Sequence, residues 1–231
     1  MTQHHHNRAS HPPQRYGSFD VPLTVWSAAD AADVTAHLFA ELKPARGPIA
    51  VVDLPGWDEV CRAGRRAVVF GTNRGAFART LASLPTSKQG LGIFQALDAD
   101  SAATRIAKLE GAAGLALASA RALTWPGAPA ALVGVLRPGG LLAVIGRTDA
   151  DAAAMTEFNR PRPGPKLDAT AHAVGLEFTG YVVAAPKRAF DTAVASAING
   201  EATPHRPCAP LTRHFDIAIW TRATAATGGA K

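Results

Sequence analysis

The stretch ALVGVLRPGGLLAVIGR, at residues 131–147, decides the predicted fold of this chain. Leu132 and Val135 lie at helical spacing, so the stretch opens as the end of a helix with an apolar face. Proline cannot extend that helix and glycine adopts turn conformations readily, so RPGG at 137–140 predicts a tight turn. The run 141–145 is apolar without alternation, which is typical of a strand covered on both faces. A helix, a tight turn and a buried strand together indicate half of a crossover unit in a parallel α/β sheet.

Short apolar runs on either side of this stretch predict the other strands. They lie at 49–53, 64–70, 90–97, 114–120, 176–184 and 215–221. The last run alternates apolar and polar side chains, which fits an antiparallel strand beside the sixth strand. We therefore predict an α/β fold, a Rossmann-like doubly wound sheet of seven strands, mostly parallel with an antiparallel last strand. Residues 18–222 are expected to form one domain, with a disordered tail at 1–17 and a flexible tail at 223–231.

Composition excludes several classes of protein. Of the 231 residues, 47% are hydrophobic, which is too many for a disordered chain. No apolar run approaches the about 20 residues of a membrane span, and the polar N-terminus lacks the apolar segment of a signal peptide. The two cysteines, Cys61 and Cys208, suit a reduced protein, so we expect a cytoplasmic location without a membrane partner. The histidines at 4–6 have no ordered acidic or thiol partners, so no metal site is predicted.

Four short motifs, in this order along the chain, resemble a known enzyme family. They are SFDVPLTVW at 18–26, GRRAVVFG at 64–71, LRPGGLLAVIGR at 136–147 and RHFDIAIWTR at 213–222. They resemble actinobacterial site-specific DNA methyltransferases, which belong to the class I S-adenosylmethionine-dependent methyltransferases. The order of elements resembles that superfamily from about residue 49 to residue 222. The resemblance implies the methyltransferase fold, with S-adenosylmethionine as the cofactor over the first two strands.

The resemblance also implies which residues would face that cofactor. Asp53 and Gly56 lie in the loop after the first strand, where the family has an acidic residue and a glycine-rich turn. Asn73 stands where the family has an acid for the ribose hydroxyls, and Asp98 where it has an acid near the adenine. Ser119 stands at the polar position after the fourth strand that, in the family, meets the target amine. Asp53 has a second interpretation, as a cap of the helix that follows it.

Departures from the family pattern favour a loss of catalysis. The loop after the first strand has lost its glycine-rich turn, and Pro55 and Trp57 remove an amide and add bulk where the cofactor would lie. Asn73 is uncharged, and no Pro-Pro-aromatic motif occurs in residues 119–126, so no catalytic residue is assigned. Trp57 and Trp125 both follow strands, where they would either pack in the core or line a pocket for an aromatic substrate.

Four arginines near the second strand would either contact nucleic-acid phosphates or form a solvated charged face: Arg65, Arg66, Arg74 and Arg79. Our favoured prediction is a degenerate, non-catalytic methyltransferase-fold protein that needs no cofactor. It would bind a partner protein, nucleic acid or a small ligand. One alternative is an active S-adenosylmethionine-dependent methyltransferase acting on nucleic acid or a small aromatic substrate. A basic DNA-binding module is the third hypothesis, and the sequence does not indicate an oligomeric state.

Overall fold

A computed structural model of the chain describes residues 23–44, 46–98, 101–148, 175–185 and 214–224. The predicted tail at 1–17 lies outside these residues, as does nearly all of the tail at 223–231. The strands are β1 (Leu23–Ser27), β2 (Ile49–Val52), β3 (Ala67–Gly71), β4 (Gly92–Ala96), β5 (Ala113–Ser119), β6 (Leu136–Thr148), β7 (Leu176–Ala185) and β8 (His214–Arg222). The helices are α1 (Ala31–Leu42), α2 (Trp57–Arg62), α3 (Arg74–Ala82), α4 (Thr86–Gln89), α5 (Ala102–Ala107) and α6 (Ala128–Val135), with a 3-10 helix at Ala120–Thr124.

The strands form a single eight-stranded sheet in the order β1-β7-β8-β6-β5-β2-β3-β4. Only β8, of these strands, runs antiparallel to its neighbours β6 and β7. This order confirms the predicted doubly wound fold with an antiparallel last strand. The structure adds β1 to the seven predicted strands. It pairs in parallel with β7, so the outer edge of β7 does not expose a row of unpaired backbone groups.

The decisive stretch folds largely as its sequence predicts. Helix α6 ends at Val135, and Gly139 then adopts a φ of +72°. Gly140 has no room for a side chain, because a Cβ there would lie 2.8 Å from the carbonyl oxygen of Arg137 and 3.1 Å from that of Ala113. Strand β6 begins before the turn, at Leu136, and its pairing with β5 shifts register between Ala113 and Leu115. The turn is therefore a bulge-like irregularity within the strand.

The central strands β2, β3 and β5 are buried on both faces, which explains their apolar runs without alternation. Along β5, Leu115 and Leu117 pack on one face, and Ala116 and Ala118 pack on the other. We call the first the α1 face, because α1, α2 and α3 cover it. The second is the α6 face, covered by α5, α6 and the 3-10 helix. No helix among the described residues is long and apolar enough to cross a membrane.

Candidate functional site

The carboxyl ends of β2 and β5 form the point where the sheet reverses its winding direction. The two strands are parallel neighbours, with β3 next to β2 on one side and β6 next to β5 on the other. In doubly wound sheets, ligands bind in the crevice at such a point, outside the carboxyl ends of the strands. Asp53 directly follows β2 and Ser119 ends β5, so these two predicted residues flank the crevice.

A side-chain hydrogen bond joins the two strands across the crevice. The Ser119 hydroxyl donates to Oδ2 of Asp53 at 2.9 Å, although the residues are 66 positions apart. The backbone N–H of Ala122 donates to the Ser119 Oγ at 3.1 Å, which orients the hydroxyl. Asp53 has a φ of +55°, an uncommon conformation for a residue other than glycine, and its own N–H bonds to the carbonyl of Phe70 at 2.8 Å. Strained backbone of this kind clusters at binding sites and active sites.

The capping interpretation of Asp53 is wrong. The residue at the N-terminal cap of α2 is Gly56, and no side chain caps that helix. Gly56 has a φ of +81°, and a Cβ there would lie 2.5 Å from the carbonyl oxygen of Ala32. The glycine is therefore required by the close approach of α1. Asp53 turns its carboxylate toward Ser119.

Asn73 and Asp98 continue a row of oxygen acceptors along the same edge. The Oδ1 atom of Asn73 caps α3 by accepting the N–H of Ala76 at 2.8 Å. The Oδ1 atom of Asp98, after β4, accepts the N–H of Ser101 at 2.7 Å. Both residues are exposed. Since β5, β2, β3 and β4 are consecutive in the sheet, the acceptors follow one another in space as Ser119, Asp53, Asn73 and Asp98.

The prediction of a pocket between two tryptophans is wrong. Trp57 is buried on the α1 face, where its ring stacks on Phe77 with centroids 4.5 Å apart. Trp125 is buried on the α6 face. The sheet separates the two rings, so both are core residues. Trp57 also does not fill the crevice, because its ring lies against Gly92 of β4. Pro55, the other residue expected to obstruct the cofactor, is exposed.

The four arginines do not form one surface, because β3 carries the chain from one edge of the sheet to the other. Arg65 precedes β3 and donates to the carbonyl oxygens of Pro44 at 3.1 Å and Gly47 at 2.9 Å, so it binds a neighbouring loop. The strand has five residues, which span about 16 Å. Arg66 thus lies at the amino edge beside Arg65, while Arg74 and Arg79 lie on α3, which begins at the carboxyl edge. Contact with nucleic acid stays a prediction for the pair on α3.

A buried acid that the sequence predictions do not include lies at the same edge. Asp216 of β8 is only 7% exposed, and the hydroxyl of Tyr181 on β7 donates to its Oδ1 atom. The signal that could have found it is an aspartate inside an otherwise apolar strand, FDIAIW. The described residues contain no group of three or more His, Cys, Asp or Glu that could hold a metal ion.

Solved structures of several proteins share this fold. The antibiotic-resistance methyltransferase Kmr is 15% identical, covers 86% of this chain and 95% of its own, and has a TM-score of 0.51. The [4+2]-cyclase SpnF is 16% identical over 86% of each chain, with a TM-score of 0.51. An O-methyltransferase family protein from Burkholderia thailandensis is 14% identical over 84% of this chain and 55% of its own, with a TM-score of 0.50. No protein-family model matches the sequence, and no curated protein matches it significantly.

The chain therefore has the Rossmann-like fold of class I S-adenosylmethionine-dependent methyltransferases. At these identities the likeness shows the fold alone, and the same fold carries a protein described as a cyclase. The acceptor row fits the donor groups of S-adenosylmethionine, which offers an ammonium, two ribose hydroxyls and an adenine amine. Asp53 could accept from the ammonium, and Asn73 and Asp98 from the adenosine part. The chain lacks the glycine-rich turn and the Pro-Pro-aromatic motif of the family pattern, and Asn73 replaces its acid for the ribose.

Proposed function

We propose that this protein binds S-adenosylmethionine along the carboxyl edge of β2, β3 and β4 and transfers its methyl group to an acceptor beside β5. The hydrogen bond between Asp53 and Ser119 carries the proposal. It places an anionic group and a hydroxyl at the reversal point of the sheet, in a strained backbone that packing and hydrogen bonds maintain.

Charge supports the assignment of Asp53 to the methionine end of the cofactor. A carboxylate binds an ammonium through charge-assisted hydrogen bonds, which are about twice as strong as neutral ones. Ser119 occupies one lone pair of one Asp53 oxygen, so acceptor positions remain on both oxygens. Asn73 accepts one backbone N–H, and its side-chain oxygen keeps a further lone pair for the ribose. Asp98 follows β4, the next strand along the edge, where the proposal places the adenine.

Methyl transfer requires few catalytic side chains, because the main task of the protein is to position the nucleophile relative to the methyl group. The bound cofactor supplies an electrophilic methyl group, and the enzyme holds a nucleophile in line with it. Ser119 is at the edge where such an acceptor would lie, with a hydroxyl oriented by Asp53 and by the N–H of Ala122. The burial of Trp57 supports the same proposal, because the ring that was expected to fill the crevice lies in the core.

Titration calorimetry with S-adenosylmethionine and S-adenosylhomocysteine tests the proposal. We expect micromolar binding to the wild type and at least about tenfold weaker binding to Asp53→Asn, which loses a charged acceptor. Asparagine tolerates the left-handed backbone, so this variant keeps the fold. Asp58→Asn is the matched control, since Asp58 lies on α2 and pairs with Arg62 at 3.2 Å. Absence of binding to the wild type would contradict the proposal.

A second candidate is a non-catalytic protein that uses this surface to bind a cytoplasmic partner protein, nucleic acid or a small ligand. Gly56 favours it, because the backbone of α1 occupies the space beside the one remaining glycine of the loop. Asn73 favours it too, since it lacks the charge that would bind ribose strongly. The same calorimetry separates the two candidates. For a non-catalytic protein that needs no cofactor, we expect no binding heat with S-adenosylmethionine or with S-adenosylhomocysteine.

A further inference from the structure

Strand β4 is the outermost strand at one end of the sheet, where it pairs in parallel with β3 and with no other described strand. Its bonds to β3 involve odd-numbered residues. The N–H of Leu97 donates to the carbonyl of Gly71, and the carbonyl of Leu91 accepts the N–H of Ala67. Pairing groups alternate along a parallel strand, so the even-numbered residues direct their N–H and C=O groups away from β3: Gly92, Phe94 and Ala96.

Apolar side chains are accessible along this edge. Ile93 is 37% exposed and is the exposed large hydrophobic side chain of the described residues. On the α1 face, the rings of Phe94 and Phe77 are half-buried, with centroids 5.0 Å apart. The sequence of β4, GIFQA, has neither the charged residues nor the proline with which many proteins block pairing at a sheet edge. Backbone and side chains of β4 are therefore suited to pair with a further strand.

The part of the chain around this edge carries charge of one sign. Residues 60–97 contain six lysine and arginine side chains and no aspartate or glutamate. Arg62 pairs with acids of α2, and Arg65 bonds to the carbonyls of a neighbouring loop. The other four lie toward the two ends of β4: Arg66 and Lys88 toward its amino end, and Arg74 and Arg79 toward its carboxyl end.

The two arginines toward the carboxyl end lie close together on α3. Nη1 of Arg79 is 3.6 Å from the Cβ position of Gly75, so its guanidinium lies over the first turn of α3, where Arg74 is the first residue. Asp98 also lies at this end, and the two guanidinium groups together exceed its charge. An uncharged strand thus has cationic side chains toward both of its ends.

We propose that the β4 edge binds an extended segment of a partner protein, which adds to the sheet as a ninth strand. The segment has about five uncharged residues, with apolar side chains that contact Ile93 and Phe94, and it has acidic residues at both ends. Main-chain hydrogen bonds to β4 supply affinity in this mode of recognition, and the charges at the two ends fix register and partner choice. The inference uses no part of the proposed cofactor site.

Charge and backbone chemistry disfavour two other occupants of the β4 edge. A second copy of this chain that paired through its own β4 would bring two sets of cationic side chains together, and like charges across an interface are costly. A nucleic acid would contact the arginines through phosphates, but it has no peptide backbone to pair with Phe94 and Ala96. It would also leave Ile93 without an apolar partner.

The probe is a fluorescein-labelled peptide of sequence DEVTVTVED, titrated with the full chain and followed by fluorescence anisotropy. We expect micromolar binding. The matched control peptide has the same sequence with a methyl group on every backbone nitrogen of the uncharged centre. It keeps the side chains and charges but cannot donate to β4, so we expect its binding to be at least about tenfold weaker.

Variants of the protein test the same bonds from the other side. Ala96→Pro removes an outward N–H and leaves the bonds to β3 in place, whereas Ala96→Val keeps the donor. We expect about tenfold weaker peptide binding for the proline variant and a Kd within about twofold of the wild type for the valine variant. Arg74→Gln combined with Arg79→Gln should weaken binding several-fold at low salt and less at high salt. Melting temperatures check that each variant folds, and the methylated peptide tests the proposal on the wild type alone.

Amide hydrogen exchange followed by NMR locates the contact. Bound peptide should slow exchange at Phe94 and Ala96, whose N–H groups point outward, and change exchange little at Ile93 and Gln95, whose N–H groups face β3. An oligothymidylate that contacts only the arginines should slow none of these amides.

Three results would overturn the proposal: no binding of the probe to the wild type, equal binding of the methylated peptide, or no slowing of exchange at Phe94 and Ala96. Binding that survives methylation and is lost with the two arginines would indicate a general anion site of the kind that nucleic acid uses. A wild-type dimer that Ala96→Pro converts to a monomer in sedimentation would assign the edge to a second copy, and the proposal would be wrong. Calorimetry with S-adenosylmethionine decides the proposed function separately, because the peptide is titrated without cofactor.

Discussion

Gly56 is the residue whose replacement should damage this fold most clearly. It combines a φ of +81° with a position where a Cβ would lie 2.5 Å from the carbonyl oxygen and 2.8 Å from the Cα of Ala32. We expect Gly56→Ala to lower the free energy of unfolding by about 3 kcal/mol or more, through backbone strain and the displacement of α1. Urea unfolding followed by circular dichroism measures it.

Gly111 provides the matched control for that substitution. It has a φ of +64°, yet no atom lies within 4 Å of the Cβ position. Gly111→Ala should therefore cost only the conformational strain, about 1 to 2 kcal/mol. Equal losses in the two variants would show that the approach of Ala32 does not constrain Gly56.

Cys61 should make stability depend on pH. Its side chain lies in the core of the α1 face, and burial raises the pKa of the thiol above the ordinary 9.0. The unfolded chain then ionises first as pH rises, so this contribution is complete below 9.0 and is lost as pH rises through the folded value. We expect the unfolding free energy of the wild type to fall relative to Cys61→Val between neutral and strongly alkaline pH. Parallel pH profiles for the two proteins would contradict this.

At the scale of elements, Arg222 joins the last strand to the end of α6. The final carbonyls of a helix lack partners within it. The Arg222 guanidinium donates to the carbonyl oxygens of Val133 at 3.3 Å, Gly134 at 3.4 Å and Leu136. The carbonyls of Val133 and Gly134 also accept backbone N–H groups, from Leu136 and Gly111. We expect Arg222→Met to lower the unfolding free energy by about 1 to 3 kcal/mol, measured by urea denaturation, because the three carbonyls lose a charged donor.

Arg62 is the control for this arginine. It lies on α2 with a side chain that is 43% exposed, and it pairs with Asp58 and Glu59 at 3.2 Å each. Exposed pairs of this kind contribute little, so Arg62→Gln should change stability by less than about 0.5 kcal/mol. A loss as large as that of Arg222→Met would mean that capping of α6 is not the cause.

At the scale of the whole molecule, the chain carries a formal net charge of +6. We expect binding to a DNA duplex to weaken steeply with salt, as phosphate contact requires. The double variant Arg74→Gln with Arg79→Gln should reduce the slope of log affinity against log salt by about 2, since two phosphate contacts are lost. Fluorescence anisotropy at several salt concentrations measures this slope.

Arg66→Gln tests whether position decides that effect. Arg66 is exposed like the arginines of α3 but precedes β3, so it lies at the amino edge, away from the crevice. We expect the slope of log affinity against log salt for Arg66→Gln to equal that of the wild type. A reduction like that of an α3 arginine would indicate a nonspecific charge effect.

The order of strands along the chain followed from sequence, because each clue was local. A covered strand shows as an apolar run, as at 141–145, and a turn shows as RPGG. The resemblance to the methyltransferase family implied the positions of Asp53, Asn73, Asp98 and Ser119, and each of the four follows or ends a strand at the carboxyl edge. The bulge within β6 and the added strand β1 could not be predicted from the sequence, because both depend on which strand is the neighbour in the sheet.

Local patterns along the chain predict the elements and their order, because short-range sterics and burial on two faces act within each element. The folded sheet places Trp57 and Trp125 on opposite faces and brings the Ser119 hydroxyl to the Asp53 carboxylate. It alone also brought Tyr181 to Asp216. Such pairs join strands that are distant in the chain, and their contact depends on strand order, register and side-chain alternation together.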